Sequence, residues 1–265
     1  MSVLTSEAVV LRTWPLRESD LIVSFFTRDY GRLKGVAKAA LKSRKRFGGA
    51  LEPMTMARAW FAERPRQELV RLDQLEIVRS PLSAPVDQVR LAVLSFFAEL
   101  IDEALPEHDP QETVFRLIVS VLEQTNPAQT SAAQSIANTE VSAEIGKPWM
   151  ALSYFSLWMT RLMGLLPDIA RCTVCGEPLH AGDVFFDHHA DGLFCAVHRQ
   201  GSAGALSADS WQLALRMLRA PASAFAGEPW QRRRAQDLRR FSVQVLERHL
   251  ERKLRSAEAL ARLGA

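Results

Sequence analysis

Residues 54–61 read Met54-Thr55-Met56-Ala57-Arg58-Ala59-Trp60-Phe61, with the larger side chains Met54, Met56, Arg58 and Trp60 alternating with Thr55, Ala57 and Ala59. Alternation with a period of two is the strand pattern, and it predicts a strand with one buried face. Four more short runs rich in β-branched and aromatic residues surround it, at 8–11 (AVVL), 21–26 (LIVSFF), 33–36 (LKGV) and 68–78 (ELVRLDQLEIV). Turn signals such as Asp29-Tyr30-Gly31 and Gly48-Gly49 separate them. Five short strands in about eighty residues, with no strong helical period, favour a small barrel such as an OB-fold. An SH3-like barrel has a similar signature.

The pattern changes at Ser80-Pro81 and Ala84-Pro85. From Val86 onward apolar residues recur at helical spacing, first Val89, Val93, Phe96, Phe97, Leu100 and Ile101, then Val114, Leu117, Ile118, Val121 and Leu122. Residues 126–138 (NPAQTSAAQSIAN) are small, polar and nearly uncharged, and read as a surface loop or mobile insertion. A further helix is predicted over 148–166, ended by Pro167, and two amphipathic helices near 208–218 and 232–254. No internal repeat is visible. The expected architecture is α+β and multidomain: a β-barrel domain over 1–80, then an α-helical domain over 81–265 carrying a small zinc-ribbon-like module at about 168–200.

All three cysteines fall in that module. Cys172-Thr173-Val174-Cys175-Gly176 sets two thiolates on one tight turn, where Gly176 can adopt positive φ. After a gap holding a Gly-Asp turn, the run Val184-Phe185-Phe186 and the turn Asp191-Gly192, Cys195-Ala196-Val197-His198 offers a second close pair. Four mixed sulfur and nitrogen ligands with no open position describe a structural zinc ion, held by Cys172, Cys175, Cys195 and His198. His188 and His189 lie in the same loop and can replace His198 as fourth ligand; His198 is preferred because its spacing mirrors the first pair, and His180 reads as surface. A redox Cys-x-x-Cys would open a helix within a βαβ pattern, which is missing here. Three cysteines cannot build a full disulfide framework, so a reducing compartment is expected. The start, MSVLTSEAVVLRTW, lacks a basic region followed by an apolar segment and a cleavage site, and no signal peptide is read there. No apolar run is long enough to span a bilayer. The expected location is cytoplasmic, with no membrane partner.

The formal net charge is only +3, and its distribution is more informative than its size. Between Asp29 and Glu52 no acidic residue occurs, yet Arg32, Lys34, Lys38, Lys42, Arg44, Lys45 and Arg46 crowd together with Gly35, Gly48 and Gly49. A charge run is usually a solvated face. One sign of charge on glycine-bearing backbone beside a barrel is also the arrangement that tracks a phosphate backbone. Trp14, Trp60 and Phe61 can offer stacking surface or serve as core, and Arg58, Arg64, Arg66 and Arg71 extend the positive character. A second cluster comprises Arg232, Arg233, Arg234, Arg239, Arg240, Arg248, Arg252, Lys253 and Arg255. Taken alone it is a solvated helix face partly paired with Asp237, Glu247 and Glu251; together the two clusters favour a nucleic-acid partner. There is no Walker loop, no dinucleotide fingerprint, no nucleophile elbow and no H-E-x-x-H, so no catalytic residue is assigned and no small-molecule substrate is expected. Glu99, Asp102 and Glu103 are scattered on presumed helix faces, and His108 beside Asp109-Pro110 reads as a cap-region residue.

In this order the pieces resemble the RecO family of bacterial recombination mediators. Residues 18–27 (ESDLIVSFFT) with Gly31, then Val36-Ala37-Lys38 and 48–53 (GGALEP), are similar to that family's OB-domain signature. Residues 162–168 (LMGLLPD) leading into Cys172-x-x-Cys175-Gly176 are similar to its entry to the zinc module, and His249-Leu250 with 253–256 (KLRS) to its C-terminal helix. Two positions depart from the pattern: Ala39 stands where Gly often follows Ala-Lys, and His198 stands where a fourth cysteine is common. The resemblance implies a mediator of DNA repair and recombination in the RecF pathway rather than an enzyme, associated with the nucleoid. It would bind ssDNA and dsDNA, anneal complementary strands, act with RecR, and contact the acidic, apolar C-terminal tail of single-strand binding protein while recombinase is loaded. A receiver for that tail needs an apolar groove rimmed by arginine. Two candidates are Arg116 among Val114, Phe115, Leu117 and Ile118, and Arg161 among Trp158, Met159, Leu162 and Met163. Otherwise each is an arginine extending from an ordinary core to water. Competing readings from other classes are a zinc-ribbon regulator whose barrel binds protein, disfavoured by the lack of a helix-turn-helix, and an RNA-binding OB protein.

Overall fold

Five strands, β1 (Leu4–Pro15), β2 (Leu21–Thr27), β3 (Gly31–Ala37), β4 (Met56–Ala62) and β5 (Val70–Arg79), close a barrel in the order β1-β2-β3-β5-β4. Neighbours are antiparallel except β3 and β5, which pair in parallel from Gly35–Val70 to Ala37–Leu72. That closed barrel is OB-like. The computed structural model behind this description covers residues 2–63, 67–83, 87–125, 140–199, 201 and 203–263, with backbone alone for 140–146. Arg64, Arg66, Pro85, Val86 and the 126–138 segment lie outside the described residues.

The barrel interior explains the alternation in β4. Ala57, Ala59 and Phe61 face the core, while Arg58 is exposed and Trp60 half-buried. A five-stranded barrel has little bore, so small side chains line β4 and a few large ones fill the centre. Phe25 and Phe61 meet edge to face at 5.8 Å, with Leu33 and Phe47 beside them. Gly35 is part of this packing: a Cβ there would come within 3.0 Å of Val70 and 3.1 Å of Leu72, so it lets β3 close on β5. Gly35, grouped in the sequence with Gly48 and Gly49 as glycine-bearing backbone beside the barrel, is thus a close-approach residue in a strand.

One compact unit combines residues 2–116 with 254–263. In it α2 (Gln88–Ala104) starts where the Asp87 carboxylate accepts the Arg90 N–H at 2.7 Å, and it packs on β1 and β2. Ser24 in the barrel donates to Asp102 of α2 at 2.6 Å. The helix α7 (Arg255–Arg262) lies against α2, its start held by Glu99, which accepts the N–H groups of Arg255 (3.0 Å) and Ser256 (2.8 Å) and the Ser256 hydroxyl. Burial alone would raise the Glu99 carboxyl, but these donors from Ser256 and Arg255 hold it below the ordinary range.

The boundary with the second unit, residues 117–253, falls inside α3 (Glu112–Thr125). This unit holds α4 (Glu140–Leu162), the two-stranded β6 (Val184–Phe186) and β7 (Gly204–Leu206), α5 (Ala208–Met217) and α6 (Gln236–His249). Its core includes Met150, Phe155, Met159, Met217, Phe225, Phe241 and Leu246. Two boundaries differ from the sequence reading. α4 carries Pro148 inside it and stops before Pro167, because Gly164 at φ 74° turns the chain, with Leu165 N–H bonding Thr160 C=O at 2.9 Å and Gly164 N–H bonding Arg161 C=O at 3.0 Å. The helix expected over 232–254 is shorter, bounded by the left-handed residues Ala235 (φ 57°) and Glu251 (φ 52°), and α7 follows as a separate element. No helix among the described residues is long and apolar enough to cross a membrane.

Candidate nucleic-acid interface and metal centre

After β3 the chain turns at Ala39, whose φ of 52° is the left-handed conformation that glycine adopts most readily. Two bonds tie this turn to the one between β1 and β2: Ala39 N–H donates to Asp20 Oδ1 at 2.7 Å and Leu41 N–H to Ser19 C=O at 3.2 Å. The short helix α1 (Arg44–Phe47) follows, anchored by the buried Phe47. Arg46 is used inside the loop: its guanidinium donates to Ser43 Oγ (3.0 Å) and Lys38 C=O (2.7 Å) and lies 5.1 Å over the Phe47 ring. Lys38, Lys42, Arg44 and Lys45 are exposed, and among the described residues none has an acidic partner.

The two earlier cations stand apart from these. Lys34 bonds Glu107 at 2.8 Å. Arg32 reaches Glu107 at 3.2 Å, Asp102 at 3.6 Å and Leu105 C=O at 2.8 Å. The hydrogen bond from Lys34, together with both positive charges, keeps the Glu107 carboxyl below its ordinary value. The seven cations singled out by sequence therefore divide into four unpartnered ones on a tethered loop, Arg46 stapling that loop, and two engaged with carboxylates. Of the aromatic candidates, Phe61 is core, and Trp14 and Trp60 are half-buried. Arg71 is paired with Asp73 at 2.7 Å. Asp20, which positions the loop, entered the sequence reading only as part of the 18–27 stretch and with no role of its own; a lone aspartate in a turn signals a local cap, and its partner nineteen residues away is visible only in the fold.

The second basic cluster is largely spoken for. Arg239 is buried, 5.0 Å over the Trp149 ring, donating to Ser153 Oγ (3.0 Å) and to the carbonyls of Arg234 (2.7 Å) and Arg232. Burial lowers its pKa to about 10, so it stays protonated. Arg234 and Arg216 share Glu228, and Arg248 bonds Asp191 and Ala190 C=O (3.0 Å). Arg233 and Arg240 are exposed. The solvated face expected here is, at Arg239, a core contact.

Cys172, Cys175, Cys195 and His198 come together, with their ligand atoms all within 4.8 Å of one another. Each pair sits on a tight turn. In the first, Gly176 N–H bonds Cys172 C=O at 2.8 Å with Gly176 at φ 72°; in the second, His198 N–H bonds Cys195 C=O at 3.0 Å. The turns are joined by Thr173 N–H to Leu193 C=O (2.9 Å) and by a Phe185–Phe194 pair bonded both ways. Phe185 also pairs with Ala205 of β7, a strand beyond the second ligand pair that sequence reading did not place.

His198 Nδ1 lies 3.3 Å from Cys195 Sγ and 3.7 Å from Cys172 Sγ. Tetrahedral sulfur and nitrogen donors on one zinc stand about 3.5–3.8 Å apart, so the four residues fit such an ion. Burial would raise the Cys172 thiol, but backbone N–H groups of Cys175, Cys195 and Val174, with the Cys175 thiol, bring it down to about 6. That favours the thiolate, the form that binds metal. His180, His188 and His189 are exposed and outside the cluster.

The two arginines considered for a peptide groove differ in setting. Arg116 is exposed beside the buried Val114, Phe115, Leu117 and Ile118. Arg161 is exposed, 5.1 Å over the Trp158 ring, with Trp158, Leu162 and Met163 only half-buried and Met159 in the core.

Comparison with known proteins places this geometry in context. Residues 1–81 match the family model "Recombination protein O N terminal" and residues 85–258 match "Recombination protein O C terminal". The chain is similar to the DNA repair protein RecO of Koribacter versatilis, 49% identical over 258 residues that cover 97% of this chain and 98% of the relative. It is 32% identical over 258 residues to the RecO of Anaeromyxobacter sp. strain K (97% and 95%) and 29% over 266 residues to that of Pelotomaculum thermopropionicum (100% and 96%).

Proposed function

The chain belongs to the RecO family of DNA repair proteins, and from that premise we propose that it mediates recombination by binding single- and double-stranded DNA and annealing complementary strands. The observation that carries the reading is the set of unpartnered cations Lys38, Lys42, Arg44 and Lys45, held on a tethered loop at the barrel. Annealing asks for phosphate charge to be neutralised while two strands approach, and no bond is made or broken. Cations with no acidic partner can do this without first losing an ion pair. Arg32 and Lys34 extend the surface along β3, and Arg46 holds it in shape. The protein acts in the cytoplasm as a mediator and not as an enzyme.

Zinc is the ion for the Cys172, Cys175, Cys195 and His198 set. When bound it supplies structural cross-linking and no chemistry, since the ligands leave no open position. Further partners are RecR and the C-terminal tail of single-strand binding protein. The Arg161 neighbourhood is the better receiver for that tail, because an exposed guanidinium there borders half-exposed Trp158, Leu162 and Met163.

The test is one titration series of the whole protein with ssDNA, dsDNA and RNA of matched length at two salt concentrations. Both DNA forms should bind, with affinity falling steeply as salt rises. Binding confined to RNA, or absent at low salt, would overturn the reading.

A further inference from the structure

Leu41 is 63% exposed, and Leu16, on the β1–β2 turn, is 43% exposed. Lone exposed leucines are common on protein surfaces. The setting of these two is less ordinary, because neither rides on loose chain. The Leu41 turn is bonded to the β1–β2 turn through Ser19 and Asp20, closed on itself by Lys42 N–H to Ala39 C=O at 3.1 Å, and followed by a helix nailed down by Phe47. Its backbone is kept in the left-handed region at Ala39, a conformation an alanine adopts only at a cost in free energy. The fold thus holds a leucine outward and keeps it from folding against the barrel.

The surroundings indicate what covers it. Lys38, Lys42, Arg44 and Lys45 flank Leu41 on its own segment, and the exposed Arg17 follows Leu16. The acids on the two turns are Glu18 and Asp20, and the Asp20 carboxylate is already turned to Ala39. Exposed leucines on cation-bearing turns match one ligand chemistry closely: a polyanion whose apolar faces are free. A single nucleic-acid strand offers unstacked bases between its phosphates, whereas a duplex keeps its bases stacked away from such a tip. An apolar protein surface lacks the phosphate complement, and a duplex lacks the free base.

We propose that Leu41, with Leu16 on the adjoining turn, contacts the faces of unstacked bases in a bound single strand. This rests on the reading that DNA crosses the barrel loop, and it adds a preference for single strands that the cations alone do not provide. Phosphate contact sets affinity and its salt dependence; the leucines set the discrimination between strand forms.

The experiment compares wild type with Leu41→Ser and Leu41→Met on oligothymidylate, on an abasic strand of equal length and on a duplex. Leu41→Ser should weaken oligothymidylate binding roughly 5- to 20-fold, the worth of a partly buried leucine. Its salt slope should stay at the wild-type value, since every cation is retained. Leu41→Met should bind like wild type, and neither variant should change duplex or abasic-strand affinity. Because the side chain is exposed, thermal melting should be unchanged. If Leu41→Ser binds oligothymidylate within twofold of wild type, or loses duplex and abasic binding equally, the assignment is wrong. Neutralising Lys38, Lys42, Arg44 and Lys45, with Arg46 left to hold the loop, separates the two claims: if that variant binds normally the barrel site itself fails, and if it weakens while Leu41→Ser does not, only the base contact fails.

Discussion

The cations that follow β3 and those that flank α6 are similarly dense in sequence, yet their neighbours put them to different uses. On the barrel loop, Lys38, Lys42, Arg44 and Lys45 reach solvent with no acidic partner among the described residues, and the stretch between Asp29 and Glu52 contains no acid. Around α6, Glu228 neutralises Arg216 and Arg234, Asp191 holds Arg248, and Trp149 with two carbonyls receives Arg239. The arginine fork satisfies several acceptors at once, which suits buried pairing, whereas lysine keeps its charge at the end of a flexible stem. Composition largely follows use: three of the four unpartnered loop cations are lysine, whereas Arg216, Arg234, Arg239 and Arg248 are arginine, with Lys253, paired with Glu247 at 2.7 Å, the exception. A basic run interleaved with acids becomes structure; one without them stays available to a ligand.

The largest effect should come from the metal centre. Arg248 bonds the same loop that carries Asp191, between the two ligand pairs. Cys175→Ala should lose the bound zinc and much of the second unit's stability together, because a structural ion's binding energy is folding energy. Metal analysis of protein purified without chelators, beside thermal melting, checks this. About one zinc per wild-type chain is expected, and DNA affinity of the folded fraction should hold. Arg239→Ala comes next, at about 3 kcal/mol of stability, since it strips hydrogen bonds from buried acceptors and leaves the Trp149 face bare. Chemical denaturation measures it, and an undiminished DNA affinity would mark Arg239 as structural.

A smaller effect tests a paired charge in the barrel's own unit. Glu99 holds the start of α7, and its carboxyl is held below the ordinary range in the folded state. Its stabilisation is present above the unfolded carboxylate value and is lost as pH falls through the lower folded value. Glu99→Gln should cost about 1 kcal/mol at neutral pH, with the gap to wild type closing on acidification. Denaturation at neutral and acid pH reads both.

Much of this was legible in residue patterns. The five strands were marked by alternation and by turns, and the two Cys/His pairs by their spacing, since thiolates three positions apart on a glycine turn leave few other structures open. Elements set by distant partners were not legible. Nothing local tells that Pro148 lies within α4, that β7 would pair with β6, or that Glu99 would hold Ser256 far along the chain. The fate of the α6 arginines was hidden for the same reason, as Trp149 and Asp191 meet them only in the fold. On the barrel loop the absence of acid was visible in the sequence itself, but the pairing of Arg32 and Lys34 with Glu107 was not.

The central claim is that unpartnered barrel-loop cations carry phosphate, and the salt dependence of ssDNA affinity tests it most directly. Two variants should be compared with wild type across a salt series: Lys38, Lys42, Arg44 and Lys45 all changed to Ala, and Arg234 and Arg248 both changed to Ala. The first should bind weakly with a slope flattened by roughly three, about 0.7 for each phosphate no longer neutralised. The second should keep the wild-type slope in its folded fraction. A wild-type slope in the barrel variant, with a flattened one in the other, would contradict the account.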